Sequence, residues 1–262
     1  MSDTEPVLRI EPLVDHVQLW TLNRPGALNS FNRALLDGLN EALDALDGTD
    51  VRCVVLTGAG GRAFSAGADL KERKTMPAED VPAFVSYIGS TFTRVARAAP
   101  PFVAAIGGYA LGGGFELALA CDLRAVDSTS KVGLPETGLA ILPGAGGTQR
   151  LSRLVGPGRA KELIFTGRRV AAEEALAAGL AELDGRESSA LDAARACAES
   201  IAAKGPVAVA AAKAAIDGGL DLALDAGLAH ERSCYDRTIP TQDRLEALAA
   251  FAEKRKPAFE GR

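Results

Sequence analysis

The chain has 262 residues, 47% of them hydrophobic, enough for one large domain or a domain with a small appendage. Its 29 Lys and Arg stand against 34 Asp and Glu, a net charge of −5, which argues against a nucleic-acid face while leaving room for a local basic pocket for a phosphorylated ligand. No run of about 18 apolar residues offers a membrane span.

The N-terminal segment Met1–Pro6 is acidic and polar and reads as lacking a signal peptide. Val14–Leu22 alternates and predicts a strand, with His16 inside it, followed by a turn at Asn23-Arg24-Pro25-Gly26. Ser30–Leu46 predicts an amphipathic helix: Leu35, Leu36, Leu39, Leu43 and Leu46 recur at helical spacing, and Ser30 or Asn32 can cap it. Cys53–Thr57 is a short apolar run, hence a buried strand, and Gly58–Ala68 reads as a loop. Val81–Ala98 predicts a second helix, stopped by Pro100-Pro101. Phe102–Ile106 is another buried strand, then a glycine-rich turn, a helix over Gly113–Ala120 and a strand over Leu123–Val126. Strand, loop and helix thus repeat through roughly the first 185 residues, which points to an α/β fold. From Glu187 onward the pattern is nearly all helix: Ala190–Ala203, Pro206–Asp217, Leu220–Tyr235 and Thr241–Glu253. Gly205-Pro206 is a natural break. It divides the chain into a core, 1–204, and a helical region, 205–262, whose apolar content suits packing against another subunit.

Several motifs bear on chemistry. Gly58-Ala59-Gly60-Gly61-Arg62-Ala63 has the form of a dinucleotide fingerprint, but Phe64–Asp69 does not continue as a helix, so a loop is the better reading. Cys53, Cys121, Cys197 and Cys234 form no C-x-x-C pair and read as free thiols in a reducing compartment, the cytoplasm. With His16 and His230 far from the glycine turns, a zinc site is not expected. Two carboxylates stand out. Glu116 follows Gly112-Gly113-Gly114-Phe115, and Glu136 follows Leu134-Pro135, a few residues before Pro143-Gly144-Ala145-Gly146-Gly147. A carboxylate beside bare backbone N–H groups is what proton transfer next to a carbonyl needs. Each taken alone also has a structural explanation, a tight turn or a helix-dipole partner.

The combination of Ala66-Gly67-Ala68-Asp69-Leu70-Lys71-Glu72, Gly108–Ala118, Cys121-Asp122, Pro135-Glu136 and Pro143–Leu151 closely resembles the enoyl-CoA hydratase (crotonase) family, over nearly the whole chain. The resemblance implies a spiral of repeated ββα units with a C-terminal helical trimerisation region, and a homotrimer or dimer of trimers. It implies an acyl-CoA thioester substrate and no metal or redox cofactor, coenzyme A being part of the substrate. By the match, the N–H groups of Ala68 and Gly113 form an oxyanion hole, Glu116 activates water, and Glu136 is the acid toward the α-carbon. Ala66, Gly67, Asp69, Leu70 and Gly144 fall in substrate-binding segments. Both glutamates of the hydratase branch are present, so hydration of a 2-enoyl-CoA, as in β-oxidation of fatty acids, is the expected reaction. The alternatives are an isomerase or a specialised dehydratase of the same fold, or a non-catalytic CoA- or RNA-binding relative. Phe115 stands where many hydratases carry a smaller residue, and Phe84 and Tyr87 are either acyl-pocket wall or core.

Overall fold

The computed structural model describes residues 5–262; Met1–Thr4, part of the segment read as lacking a signal peptide, lie outside the described residues. The chain opens with a hairpin, β1 (Leu8–Val14) and β2 (Val17–Leu22), paired antiparallel. The strand expected over Val14–Leu22 is β2 from Val17 on; Val14 ends β1, and His16 sits in the turn between them with φ 61° rather than in a strand. The two-residue turn Asp15-His16 is invisible to alternation, because both arms of a short hairpin alternate. Next come α1 (Arg33–Asp44), β3 (Cys53–Gly58), β4 (Ala63–Ser65), α2 (Leu70–Thr75) and α3 (Val81–Arg97). They are followed by β5 (Phe102–Ile106), β6 (Tyr109–Leu111), α4 (Gly113–Ala120), β7 (Leu123–Val126) and β8 (Lys131–Gly133). The remainder is α5 (Gly147–Val155), α6 (Pro157–Thr166), β9 (Val170–Ala171), α7 (Ala172–Ala177), β10 (Leu183–Asp184), α8 (Ala190–Ala202), α9 (Pro206–Gly219), α10 (Leu224–Asp236) and α11 (Gln242–Glu253).

The strands sort into two sheets. One has the order β1-β2-β3-β5-β7-β10, parallel from β2 onward; the other has the order β4-β6-β8-β9. Each turn of the chain places one strand in the first sheet, the next in the second, and then a helix: β3-β4-α2, β5-β6-α4, β7-β8-α5. The second strand of each unit is only three residues long. That is too short for a hydrophobic period, which is why the sequence reads as strand, loop and helix.

Helix α1 starts at Arg33, because the Asn32 side chain accepts from Leu35 N at 3.0 Å and satisfies one of the open N–H groups of the first turn. Its predicted leucines, Leu35, Leu36 and Leu39, are fully buried against the main core with Phe31, Phe64 and Phe92. Phe84 and Phe115 belong to that same core. The outer face of the first sheet is covered by α8. Ala190, Ala194, Ala198 and Ala202 recur every four residues and form a stripe of small side chains, which lets the helix lie close on Val17, Cys53, Val55, Val103 and Ala125. The C-terminal helices follow. Lys213 of α9 reaches back to Asp122 at 2.9 Å, and Asp122 also accepts from Phe102 N.

Candidate active site

Four of the predicted residues meet where the second sheet ends. Strand β6 stops at Leu111. Gly112 then adopts φ +55° and ψ −128°, a conformation natural only to glycine, and α4 begins at Gly113. Gly112 N donates to Gly133 O at 2.9 Å, which pins the turn to β8. The N–H of Gly113, the first helical residue, has no intrahelical acceptor and donates to none among the described residues.

Ala68 comes from the β4–α2 connection. It forms an isolated parallel bridge with Phe31: Phe31 N donates to Gly67 O at 2.8 Å, and Asp69 N donates to Phe31 O at 2.9 Å. A parallel bridge uses the neighbours of the bridging residue, so the N–H of Ala68 points the other way and is likewise uncommitted among the described residues. The two segments touch. A Cβ placed on Gly113 would lie 3.4 Å from Gly67 Cα and 3.6 Å from Ala68 N.

Glu116 sits one turn into α4 and is buried. Its Oε1 accepts two backbone hydrogen bonds, from Ala145 N and Gly147 N, both at 2.8 Å. Burial raises its carboxyl above the ordinary range; the two N–H donors and the nearby Arg150 pull it back in part. Glu136 opens the short 3-10 turn Glu136–Leu139 after β8. Its Oε1 lies 3.1 Å from where a Gly112 Cβ would stand, so the bare backbone of Gly112 makes room for the carboxylate. Its Oε2 is buried and has no hydrogen-bond partner among the described residues. Burial, and to a lesser degree the charge of Glu116, push Glu136 up to about 7. A buried acceptor without a donor is costly, and such groups mark places where a ligand or water belongs.

The remaining predicted residues take different positions. Ala66 N donates to Leu28 O at 3.0 Å and Gly67 N to Ser65 Oγ at 3.2 Å, so both shape the loop that presents Ala68. Asp69 is committed within the protein. It caps α2, accepting from Lys71 N at 3.0 Å and Glu72 N at 3.4 Å, and pairs with Arg24 at 2.9 Å. Burial alone would raise its carboxyl; the hydrogen bonds from Arg24 and the two N–H groups outweigh this and hold it below the ordinary range. Leu70 is exposed at the start of α2. Gly144 is exposed beside the donor turn; the N–H groups that reach Glu116 are those of Ala145 and Gly147. Sequence reasoning missed these two donors and Arg150. The signal was available in the Gly144–Gly147 run, which leaves backbone N–H groups accessible.

Tyr87 is tied to α1. Its hydroxyl donates to Asp37 at 2.6 Å and accepts from Asn40 at 3.2 Å. His230 bonds to Ala214 O at 2.9 Å within the C-terminal helices. All four cysteines are free. No helix among the described residues is long and apolar enough to cross a membrane, and no group of three or more His, Cys, Asp or Glu among them could hold a metal ion.

Chemically, the cluster pairs two uncommitted N–H donors with two carboxylates in different settings. Burial raises both carboxyls; two backbone donors and Arg150 hold Glu116 back in part, while Glu136 is pushed up to about 7. Such an arrangement can hold charge on an oxygen while protons move at neighbouring atoms. Comparison with known proteins shows the family. A family model described as enoyl-CoA hydratase/isomerase matches residues 14–262. YngF of Bacillus subtilis (strain 168) is 50% identical over 248 residues, covering 94% of this chain and 95% of that protein. The human mitochondrial methylglutaconyl-CoA hydratase is 45% identical over 270 residues, covering 98% and 78%. The crystal structure of an enoyl-CoA hydratase from Bacillus anthracis superposes with a TM-score of 0.95 at 48% identity, covering 98% of this chain and 100% of that one.

Proposed function

The chain belongs to the enoyl-CoA hydratase/isomerase family, and from that premise we propose that it adds water across the 2,3 double bond of a 2-enoyl-CoA thioester, giving the 3-hydroxyacyl-CoA. Its fold is the crotonase-like spiral of ββα units followed by a helical C-terminal region. The observation that carries the proposal is the meeting of two uncommitted N–H donors, Ala68 and Gly113, with Glu116 and Glu136 around Gly112.

In this reading the thioester carbonyl lies against the Ala68 and Gly113 N–H groups. A water oxygen bonds to the β-carbon while Glu116 takes one of its protons. The π electrons move onto the α-carbon and the carbonyl oxygen, forming an enolate. The two donors hold that charge in place; losing one such donor typically costs about 3 kcal/mol of barrier. Glu136 gives its proton to the α-carbon, the carbonyl re-forms, and Glu116 returns the proton it took to Glu136 by way of solvent. The net change is one water added. A carboxyl raised to about 7 keeps a proton available at neutral pH, whereas Glu116, with its two N–H bonds, is the better holder of negative charge. Coenzyme A enters with the substrate, and the scheme calls on no metal or redox group. Ala66, Gly67, Leu70 and Gly144 border the approach to the carbonyl, with Asp69 holding the Ala68 segment. Isomerisation can proceed on one carboxylate, so the pair favours hydration. We further place the enzyme in the cytoplasm, in fatty acid β-oxidation, as a homotrimer or dimer of trimers built on residues 205–262.

Incubation with crotonyl-CoA should produce loss of the conjugated thioester absorbance. A panel of longer and branched enoyl-CoAs, a methylglutaconyl ester among them, would then rank substrates. Absence of turnover on every ester, with the protein folded, would overturn the proposal.

A further inference from the structure

One side chain shapes the turn that holds Glu116. Arg150 lies in the first turn of α5. Its Nη1 donates to Ala145 O at 3.0 Å, and its Nη2 donates to Thr93 Oγ1 at 3.3 Å on α3. Thr93 Oγ1 in turn donates to Gly89 O at 2.8 Å, which fixes the anchor to the helix backbone. Between the two peptides that donate to Glu116, Gly146 has φ +108°, and a Cβ on it would collide with Arg150 Nη1. The guanidinium therefore fills the inside of the turn. Only a glycine at 146 leaves it room, and only a planar fork of donors can reach the Ala145 carbonyl and Thr93 together.

We propose that Arg150 is a positioning residue for hydration: it shapes the Ala145–Gly147 turn so that both N–H groups aim at Glu116 Oε1, which leaves Oε2 as the oxygen that works on water. For its activity readout this rests on the hydratase reading above. The titratable groups facing the pair are Glu136 across the site and Cys121 at the end of α4, whose thiol burial pushes up to about 12. Arg150 also lines a surface cavity with Arg94, Arg97, Arg153, Asp47 and Asp221.

The test compares Arg150→Met, Arg150→Lys and Thr93→Val with the parent enzyme. Arg150→Met loses both the bridge and the charge. Its kcat on crotonyl-CoA should fall roughly tenfold or more, with KM changed much less, because a misplaced catalytic group damages chemistry more than binding. The charge of Arg150 favours ionised Glu116, so its loss should move the Glu116 titration to higher pH. This is read by carbon-13 NMR of labelled glutamate carboxylates, with the signal assigned through Glu116→Gln. Arg150→Lys keeps the charge but not the fork, so kcat falls and the Glu116 titration still moves to higher pH, by less than in Arg150→Met, because the two N–H donors that lower it lose their aim. A folded Arg150→Met with parental kcat and an unmoved Glu116 titration would overturn the proposal. If Arg150→Met fails to fold, the Lys and Val variants decide: reduced kcat in both supports the bridge, and parental kcat in both overturns it. If the parent enzyme hydrates no enoyl-CoA, the hydratase reading falls, and the carboxylate titration still judges the positioning role.

Discussion

At the scale of single residues, the two glutamates differ in what surrounds them, and the roles proposed for them rest on that difference. Glu116 receives two backbone N–H groups on one oxygen; Glu136 receives none on its buried Oε2. Replacing either by glutamine keeps size and removes proton transfer. Glu116→Gln and Glu136→Gln should each lower hydration by about 10²-fold or more while binding of a CoA ester survives, measured by steady-state rates beside calorimetric titration. Near-parental turnover in both would end the acid–base scheme. Glu136 also makes a stability prediction. Its carboxyl sits at about 7 in the folded chain against an ordinary 4.5, so the folded state binds the extra proton between those values. The stability associated with that proton is intact below the ordinary value and is lost as pH rises through about 7. Glu136→Gln carries no such charge. Its thermal midpoint should gain on the parent as pH rises from 5 to 8, even as its activity is lost. An equal difference at both pH values would show that Glu136 is not buried at the cost described. The sequence signalled both glutamates through their glycine-rich neighbours, but not which of them would be held by donors, because those donors belong to a turn 29 and 31 residues further along the chain.

At the scale of elements, the short helix α2 follows directly on the Ala68 peptide, one half of the proposed oxyanion site. Its N-cap is Asp69, tied at once to the helix N–H groups and to Arg24 on the β2–α1 connection. Asp69→Ala removes the cap and leaves Arg24 without its partner. Loss of stability of about 1–2 kcal/mol is expected from the cap, together with a fall in kcat, because the Ala68 peptide immediately precedes this residue. Asp69→Asn keeps an acceptor and should lose less of both. Chemical denaturation and crotonyl-CoA rates on the two variants check this; an Asp69→Ala enzyme with parental stability and rate would remove Asp69 from the support of the site. Long elements were legible in the sequence. Helices α1 and α3 announce themselves through helical apolar spacing, and β3 and β5 through short apolar runs. Strands β4, β6 and β8 were not. Three residues carry no periodicity, and they are strands only because parallel neighbours supply their hydrogen bonds. The glycine turn before α4 was legible as a turn, and its φ at Gly112 belongs to a conformation other residues avoid.

For the whole molecule, the C-terminal helices carry an apolar surface that the single chain does not cover. Ile216, Leu220, Leu224, Leu248 and Phe251 are all exposed, Phe251 by 85%. Patches of this kind mark association surfaces. Light scattering at micromolar concentration should give the mass of three chains or six, and a monomer mass would reject the assembly. The charge balance, the free cysteines and the motif order from Ala66 to Leu151 were properties of the sequence alone, and with the resemblance they were enough to place the family and to name Ala68, Gly113, Glu116 and Glu136. Local chemistry determines such things, because helix spacing, turn residues and short motifs involve neighbours along the chain. The partners of those residues were decided by tertiary structure. The Phe31 bridge that turns the Ala68 N–H outward, the Ala145 and Gly147 donors on Glu116 and the Arg150 strut to Thr93 each join segments dozens of residues apart. Hydrogen bonds between distant segments have no signature in either segment by itself; they arise when the two sheets and their helices close around one core.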